Sequence, residues 1–479
     1  MSVELELAGR VVELVGAAVG PAAQAEVLVW HNAEALTRFA NSAIHQNVAE
    51  ATTTVRLRLH LDGRTSAGST TITDADGLRT LVDRTIEAAR LSPADPTWPG
   101  LIPPTPLFVS AGHPGSGPHS GLDFGFDEAT ARADPGERAA RVRDFVRAAG
   151  GLETAGFCRT VYVAAAFANS AGQAVEGRTA EAAMDGIARV DGSDGVARLA
   201  SGKLADIDGA VLGTRAAAKA RAGRQPIELP PGRYEVVLEP EAVADVLDNL
   251  ASFGFNGELF NQRQSFAEIG VEQFDPSVTI VDDPLGSRSE PAPGLPFDIE
   301  GTPRETLVLV RDGVTKAVAH DRRSAAEAGG KSTGHAWQLS RTWGPVATSM
   351  RLEAAQAATE PVLPPAEPGP TAESARPLVR HIERGLLITD FWYTRVLDPK
   401  SLVITGLTRN GVWLVEDGEV TSAVSNMRFT QSYPQALGIG LVRGIGSESV
   451  LLPDRWSGVR YAAPAVHLAS WNLTGNASG

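Results

Sequence analysis

Cysteine is all but missing from this chain of 479 residues: Cys158 stands alone. A single thiol excludes an intrachain disulfide and fits a reducing compartment. Histidine is sparse as well, nine residues with none between His119 and His320, and no two lie four or five apart. That spacing rules out the compact zinc site in which two histidines share a helix face with a glutamate between them. Basic charge is in deficit. The net charge is −14 and no Lys/Arg cluster stands out, which argues against a nucleic-acid surface, because neutralising phosphates needs such a cluster. No segment reaches the roughly 18 apolar residues of a membrane span. Glu4, Glu6 and Glu13 interrupt the N-terminal stretch where a signal peptide carries a basic segment and then an apolar run. The expectation is a cytoplasmic protein with neither membrane nor nucleic acid as partner.

What is present is the composition of a folded protein, 43% hydrophobic and 21% charged, at a length that suggests two or three domains. Val11 to Val19 has helical spacing and Glu26 to Trp30 reads as a strand. Val55, Leu57, Leu59 and Leu61 alternate with Arg56, Arg58 and His60 before Asp62-Gly63, a hairpin with one buried face and His60 on the polar one. Asp74 caps a helix with Leu78, Leu81, Val82, Ile86 and Ala89 on one face. Residues 93–118 form a Pro/Gly-rich crossing, and His113 and His119, in or beside it, read as solvent-exposed rather than as metal ligands. A helix opened by Asp134-Pro135 precedes two strands joined by a turn at Asn169 to Gly172. The motif "FANS" occurs twice, at Phe39–Ser42 and Phe167–Ser170, as if to mark equivalent strand ends. After an Ala-rich helix, the prolines between Gly223 and Arg233 divide the chain into domains 1–222 and 223–479. The second domain is mostly β. It begins with the strand-like "RYEVVLEP", continues into "NLASFGFNGELFNQRQSF" as the start of a helix, and closes with short apolar runs separated by Asp-Pro, Asn-Gly and Asp-Gly, an antiparallel meander.

Chemistry is hard to find in these residues. "AGGKSTG" at 328–334 ends like a P-loop, but Ala325 stands where the first glycine belongs and a helix, not a strand, precedes it. A glycine-broken loop with Gly329 or Gly330 as the helix cap is the plainer reading. Asp282-Asp283 and Asp298 with Glu300 could hold a divalent cation or serve as acid and base; beside Pro and Gly, turn hydrogen bonds are the favoured reading. No Gly-x-Ser-x-Gly elbow stands at a strand-to-helix junction, and Cys158 lies within a strand as a core thiol.

Several segments together resemble the TldD/PmbA family, whose PmbA members are also called TldE. They are "LTRFANSAIHQNV", "PGRYEVVLEPEAVADVL", "TIVDDP", "PFDIEGTPRETLVLVRDGV", "KSTGHA" and "DPKSLVITGLTRNGVWLVEDGEV", in the family's order along nearly the whole chain. The resemblance implies an α+β fold, an N-terminal α/β domain followed by a C-terminal domain of curved, mostly antiparallel β-sheet. It also implies a heterodimeric metallopeptidase that acts on unfolded or leader peptides, with a historical link to DNA gyrase. The TldD-type subunit carries a His-Glu-x-x-x-His helix and a later cysteine; the TldE-type subunit lacks them. Laid onto this chain, the six motif positions fall at Asn249, Leu250, Ala251, Ser252, Phe253 and Gly254, and none supplies a zinc ligand of the required kind. The resemblance therefore implies a TldE-type subunit with no catalytic residue and no metal of its own, zinc residing in a TldD-like partner. Candidates for lining a peptide channel or touching that partner are Asn41, Ser42, Asn256, Asp298, Glu300, Ser332, Gly334 and His335. Two other readings stay open: a hydrolase or amidase using His335, Asp298 or Glu300 on a small peptidyl metabolite, and a homodimeric binding module.

Overall fold

The alternation of Val55, Leu57, Leu59 and Leu61 becomes one fully or nearly fully buried face of a long strand. In the computed structural model, which describes residues 2–107, 126–286, 292–354, 369–453 and 459–477, that strand belongs to a six-stranded antiparallel sheet. Helix α1 (Val3–Val19) leads into β1 (Gln24–Ala40), β2 (Ala43–Leu61), β3 (Arg64–Thr70) and α2 (Ala75–Leu91). A single turn α3 (Glu128–Ala131) and helix α4 (Pro135–Ala148) lead into β4 (Glu153–Asn169), β5 (Ala174–Val190), β6 (Ser193–Ser201) and α5 (Gly209–Ala222). The order β3-β2-β1-β4-β5-β6 thus holds one helix–three-strand–helix unit twice, joined through β1 and β4.

The repeated "FANS" marks this symmetry. Ser42 N donates to Thr154 O at 3.0 Å, Thr154 N to Ser42 Oγ at 3.1 Å and Ser42 Oγ to Leu152 O at 3.2 Å. Ser170 makes the same three bonds to Ala25 and Ala23, at 2.9, 3.1 and 3.2 Å. Each serine ends the first strand of its own unit and secures the first strand of the other. Because β1 and β4 run antiparallel, the two turns lie at opposite ends of the sheet.

Capping sets the helix limits. The Asp74 side chain accepts from Asp76 N and Gly77 N, and Asp134 and Glu137 form a reciprocal capping box. Helix α1 starts earlier than its apolar spacing suggests, because Ser2 caps it and Glu4 and Glu6 sit in the first turn, where the helix dipole favours negative charge.

Beyond Gly223 the elements are β7 (Gly232–Leu238), α6 (Pro240–Asn249), α7 (Gly257–Asn261), β8 (Ile280–Asp282), β9 (Leu307–Arg311), β10 (Val314–Thr315), α8 (Arg322–Glu327) and β11 (Ser349–Leu352). They continue as β12 (Arg384–Asp398), β13 (Val403–Glu416), β14 (Glu419–Ala423), β15 (Met427–Ser432), β16 (Val442–Ile445), β17 (Val450–Leu452), β18 (Arg460–Ala463) and β19 (Val466–Asn476). One sheet has the order β10-β9-β8-β11-β18-β17. The other runs β12-β7-β19-β15-β13-β14, and β12 also pairs with β13, so five strands close into a ring. Register shifts along β12 and β13 supply the bending that closure needs. Phe391 and Trp471 stack at 5.0 Å, and Phe429 and Tyr433 join them in a core shared with Val243 and Leu247 of α6. The fold is α+β, as the sequence suggests, and the curvature is the ring.

"NLASFGFNGELFNQRQSF" does not start a helix. The helix begins at Pro240, whose fixed φ and missing N–H suit a first turn, and Leu250–Gly254 is its widened π-helical end. Asn256 then caps α7 through Glu258 N and Leu259 N.

Candidate functional site

The sequence candidates divide in space. Asp298, Glu300, Ser332, Gly334 and His335 converge on loops of the C-terminal half, beside the polar face of β2. Asp298 Oδ1 accepts from Glu300 N at 2.9 Å and Thr302 N at 3.0 Å, and its Oδ2 accepts from Ala336 N at 2.9 Å. Turn bonding is thus what Asp298 does. Ser332 Oγ donates to His320 O and accepts from Gly334 N, both at 3.1 Å. Gly334 has φ +77°, and a Cβ there would stand 2.6 Å from Pro303 O, so only glycine fits. His335 meets Thr333 Oγ1 through Nδ1 at 2.9 Å and Asp282 Oδ2 through Nε2 at 3.0 Å. Asn256 lies one step away, its Nδ2 donating to Trp343 O at 2.6 Å while Gly257 N donates to Ala319 O. Asn41 and Ser42 sit in the β1–β2 turn, at the other end of the N-terminal sheet from Asn169; Ser42 secures that sheet, and neither residue reaches the cluster.

The carboxylate pairs separate in role. Asp283 Oδ1 accepts from Gly286 N at 3.0 Å, the turn contact its neighbours suggest. Asp282 departs from the turn reading. It is fully buried at the end of β8, held by Arg304 at 2.9 Å, His335 and Ser349 N at 2.7 Å. Burial alone would raise its carboxyl; Arg304 and His335 outweigh burial and hold it far below the usual range.

Glu300 belongs to a second network that spans both halves. Arg58 of β2 pairs with Glu26 of β1 and with Glu300 at 2.9 Å, while Arg322 at the start of α8 pairs with Glu26 and with Glu300 at 3.2 Å. Two guanidiniums and two carboxylates alternate in a square. Burial would raise the Glu300 carboxyl, but Arg58 and then Arg322 bring it down to about 2. Asp298 moves the other way: burial, then the adjacent Glu300 charge, raise it to about 7 against its three backbone N–H donors. A carboxyl whose folded value lies above its unfolded one stabilises the fold at low pH, and that contribution fades as pH climbs toward 7. Asp298→Asn should therefore be most destabilising below about pH 4 and progressively less so up to pH 8, as urea unfolding of both proteins across that range would measure.

In front of this network opens a cavity of about 140 Å³, lined among others by Arg56, Trp98, Asp321, Arg323, Trp337 and Arg341. Trp98 comes from the Pro-rich crossing and stacks on His60 at 5.0 Å, with Arg58 over the ring at 5.0 Å. Arg323 reaches Glu258 of α7 at 2.5 Å, tying the cavity to the segment after Asn249–Gly254. Sequence reasoning missed Glu26, Arg58 and Arg322. The usable signal was two arginines on the polar face of one strand, which require carboxylates opposite.

The positions compared with the zinc motif contain no metal ligand set. Asn249 Nδ2 donates to Asp245 O at 2.9 Å, Leu250 and Ala251 are buried in the core, and Gly254 lies against Phe266. Among the described residues no group of three His, Cys, Asp or Glu side chains is placed to hold a metal ion. Cys158 is buried; burial pushes its thiol up to about 12, and it is not an activated nucleophile. Gly329, with φ +69°, ends α8, and the "AGGKSTG" run is a helix-capping loop. Among the described residues no helix is long and apolar enough to cross a membrane. His113, His119, the "GHPGSGPHSG" stretch and most of Pro361–Pro370 lie outside the described residues.

A helix-flanked antiparallel sheet of two like units, followed by a strand ring and a polar network at their junction, defines an α+β architecture. Residues 231–475, just over half of the chain, match the PmbA/TldA metallopeptidase C-terminal domain, and the chain belongs to the TldD/PmbA family. Its fold is that of TldE from Thermococcus kodakarensis, with a TM-score of 0.80 at 16% identity over 98% of this chain and 100% of that one. A Thermotoga maritima protein described as a candidate modulator of a DNA gyrase gives 0.77 at 16% identity over 98% and 99%. A TldD metalloprotease homologue of Haemophilus influenzae is 29% identical over 133 residues, 27% of each chain. The match therefore spans about a quarter of that curated relative.

Proposed function

We propose that this chain is a TldE-type, non-catalytic subunit that pairs with a TldD-like, zinc-carrying subunit and helps to hold an extended peptide while the partner cleaves it. The observation that carries the reading is the π-helical end at Leu250–Gly254, where packing and backbone bonds stand in place of metal ligands. Zinc then belongs to the partner, and this chain contributes walls and contacts. Exposed strand edges suit that work, because they pair with a peptide backbone without reading its side chains. The substrate class is unfolded or leader peptide, and the compartment is the cytoplasm. A hydrolase acting through His335, Asp298 or Glu300 is disfavoured, since all three are at most 6% exposed and their polar atoms are already engaged.

Co-expression with a TldD-like protein tests this. Peptide cleavage is expected from the pair and not from this chain alone after metal stripping. Equal cleavage by the stripped chain alone, or stoichiometric zinc bound to it, would overturn the reading.

A further inference from the structure

The two like units of the N-terminal half leave two equivalent open strand edges, and among the described residues only one is covered. Strand β3 pairs with Val55–Leu61 of β2, and β6 pairs with Ala182–Val190 of β5. The preceding parts, Ala43–Thr54 on β2 and Ala174–Glu181 on β5, have no outer strand partner among the described residues. On β5 this chain's own C-terminal half covers the gap: Pro296 and Phe297 lie against Gly177, and Arg460 of β18 pairs with Glu181. Residues from Val175 to Glu181 are accordingly buried or nearly so. On β2 the matching stretch is largely exposed.

Charge repeats the asymmetry. Glu50 lies on the β2 edge, and Glu181 lies two positions further along the equivalent strand, on the same face. Glu181 is met by Arg460 and, at 3.0 Å, by Arg159. Glu50 instead stands directly opposite Glu34 of β1, a like-charge cross-strand pair that costs stability, and the described ion pairs give neither residue a cation. By strand alternation both lie on the face where Arg58 meets Glu300 of the C-terminal half. The edge also lacks the proline, lysine and bulges that usually guard a bare strand, apart from one irregularity beside its turn.

We propose that Ala43–Thr54 is the docking edge for the partner subunit, occupied by the C-terminal half of a second chain of this fold, the TldD-like one, which brings a basic side chain to Glu34 and Glu50. This rests on the pairing proposed above. The occupant follows from the symmetry of the two edges, because the equivalent edge is already filled by a C-terminal half that presents Arg460 to a glutamate on the same face.

The test is amide hydrogen exchange on the full chain, alone and mixed with a TldD-like subunit, with light scattering to record the mixed species. The expected result is a heavier species in which exchange within residues 43–54 slows at least ~10-fold, while residues 174–181 are protected in both samples. Glu50→Lys should weaken association by about 10-fold or more, since like charge now faces the incoming cation. Glu50→Gln should weaken it less, and both variants should unfold at or above the parent's denaturant midpoint, because the repulsion from Glu34 is relieved. A heavier species with unchanged exchange at 43–54 would overturn the inference alone. Concentration-dependent protection of 43–54 in the chain by itself would overturn it in favour of a second copy. If no heavier species forms, the pairing reading fails and the inference with it.

Discussion

Asp282→Ala is expected to lower the unfolding free energy by ~3–5 kcal/mol, the range for breaking a buried ion pair from one side. Alanine leaves Arg304 in the junction without its counter-ion, Ser349 N–H without its acceptor and His335 Nε2 without its partner. The loss should appear as a lower denaturant midpoint. Asp282→Asn keeps the shape and should cost less. The pH response has a definite sign: the folded carboxyl is held below its unfolded value, so its contribution is complete above about pH 4 and is lost as pH falls below that. Parent and Asp282→Asn should therefore converge in stability under acid, and a gap that widens on acidification would contradict this account.

Lys219→Met should have a comparable effect, ~3–5 kcal/mol, for the same physical reason. Lys219 is fully buried in α5, where its Nζ donates to Glu239, at the end of β7, and to Thr389 of β12 at 3.2 Å. Burial would raise the Glu239 carboxyl, but Lys219 and then Arg215 outweigh it. Removing the ammonium leaves Glu239 with Arg215 at 3.7 Å and the backbone N–H of Ala372 at 2.6 Å. Because the pair joins the two halves of the chain, its loss should also loosen their contact. Lys219→Met combined with Glu239→Gln should recover part of the loss, which paired denaturation curves would measure. Additive losses would mean the two side chains act independently.

Local structure was readable in the residues. The Asp74 and Asp134 caps, the buried face of β2 and the turn at Asp62-Gly63 appear as their spacing suggests, whereas the closing meander is only partly so, since Asn410-Gly411 falls within β13 and β15 pairs with β13 rather than with β14. Each depends on neighbours a few positions apart. The "FANS" repeat was visible as well, but only the sheet shows that each copy secures the other. Polar pairing was not readable. Asp282, two residues before Pro284 in sequence, looks like a turn residue, and its partners Arg304, His335 and Ser349 arrive from three other segments.

The sequence by itself determined the elements, the mostly β second half and the lack of zinc ligands from Asn249 to Gly254, since each of these is a property of short windows. Only the tertiary structure decided which charges meet. Glu26 and Arg322 stand 296 residues apart, and Lys219 and Thr389 stand 170 apart. No local pattern encodes such partners, because they are chosen by where the folded chain returns, and a buried charge is tolerated only where a counter-charge is brought to it. The same return of the chain covers one open edge of the N-terminal sheet and, among the described residues, leaves the other at Ala43–Thr54 bare.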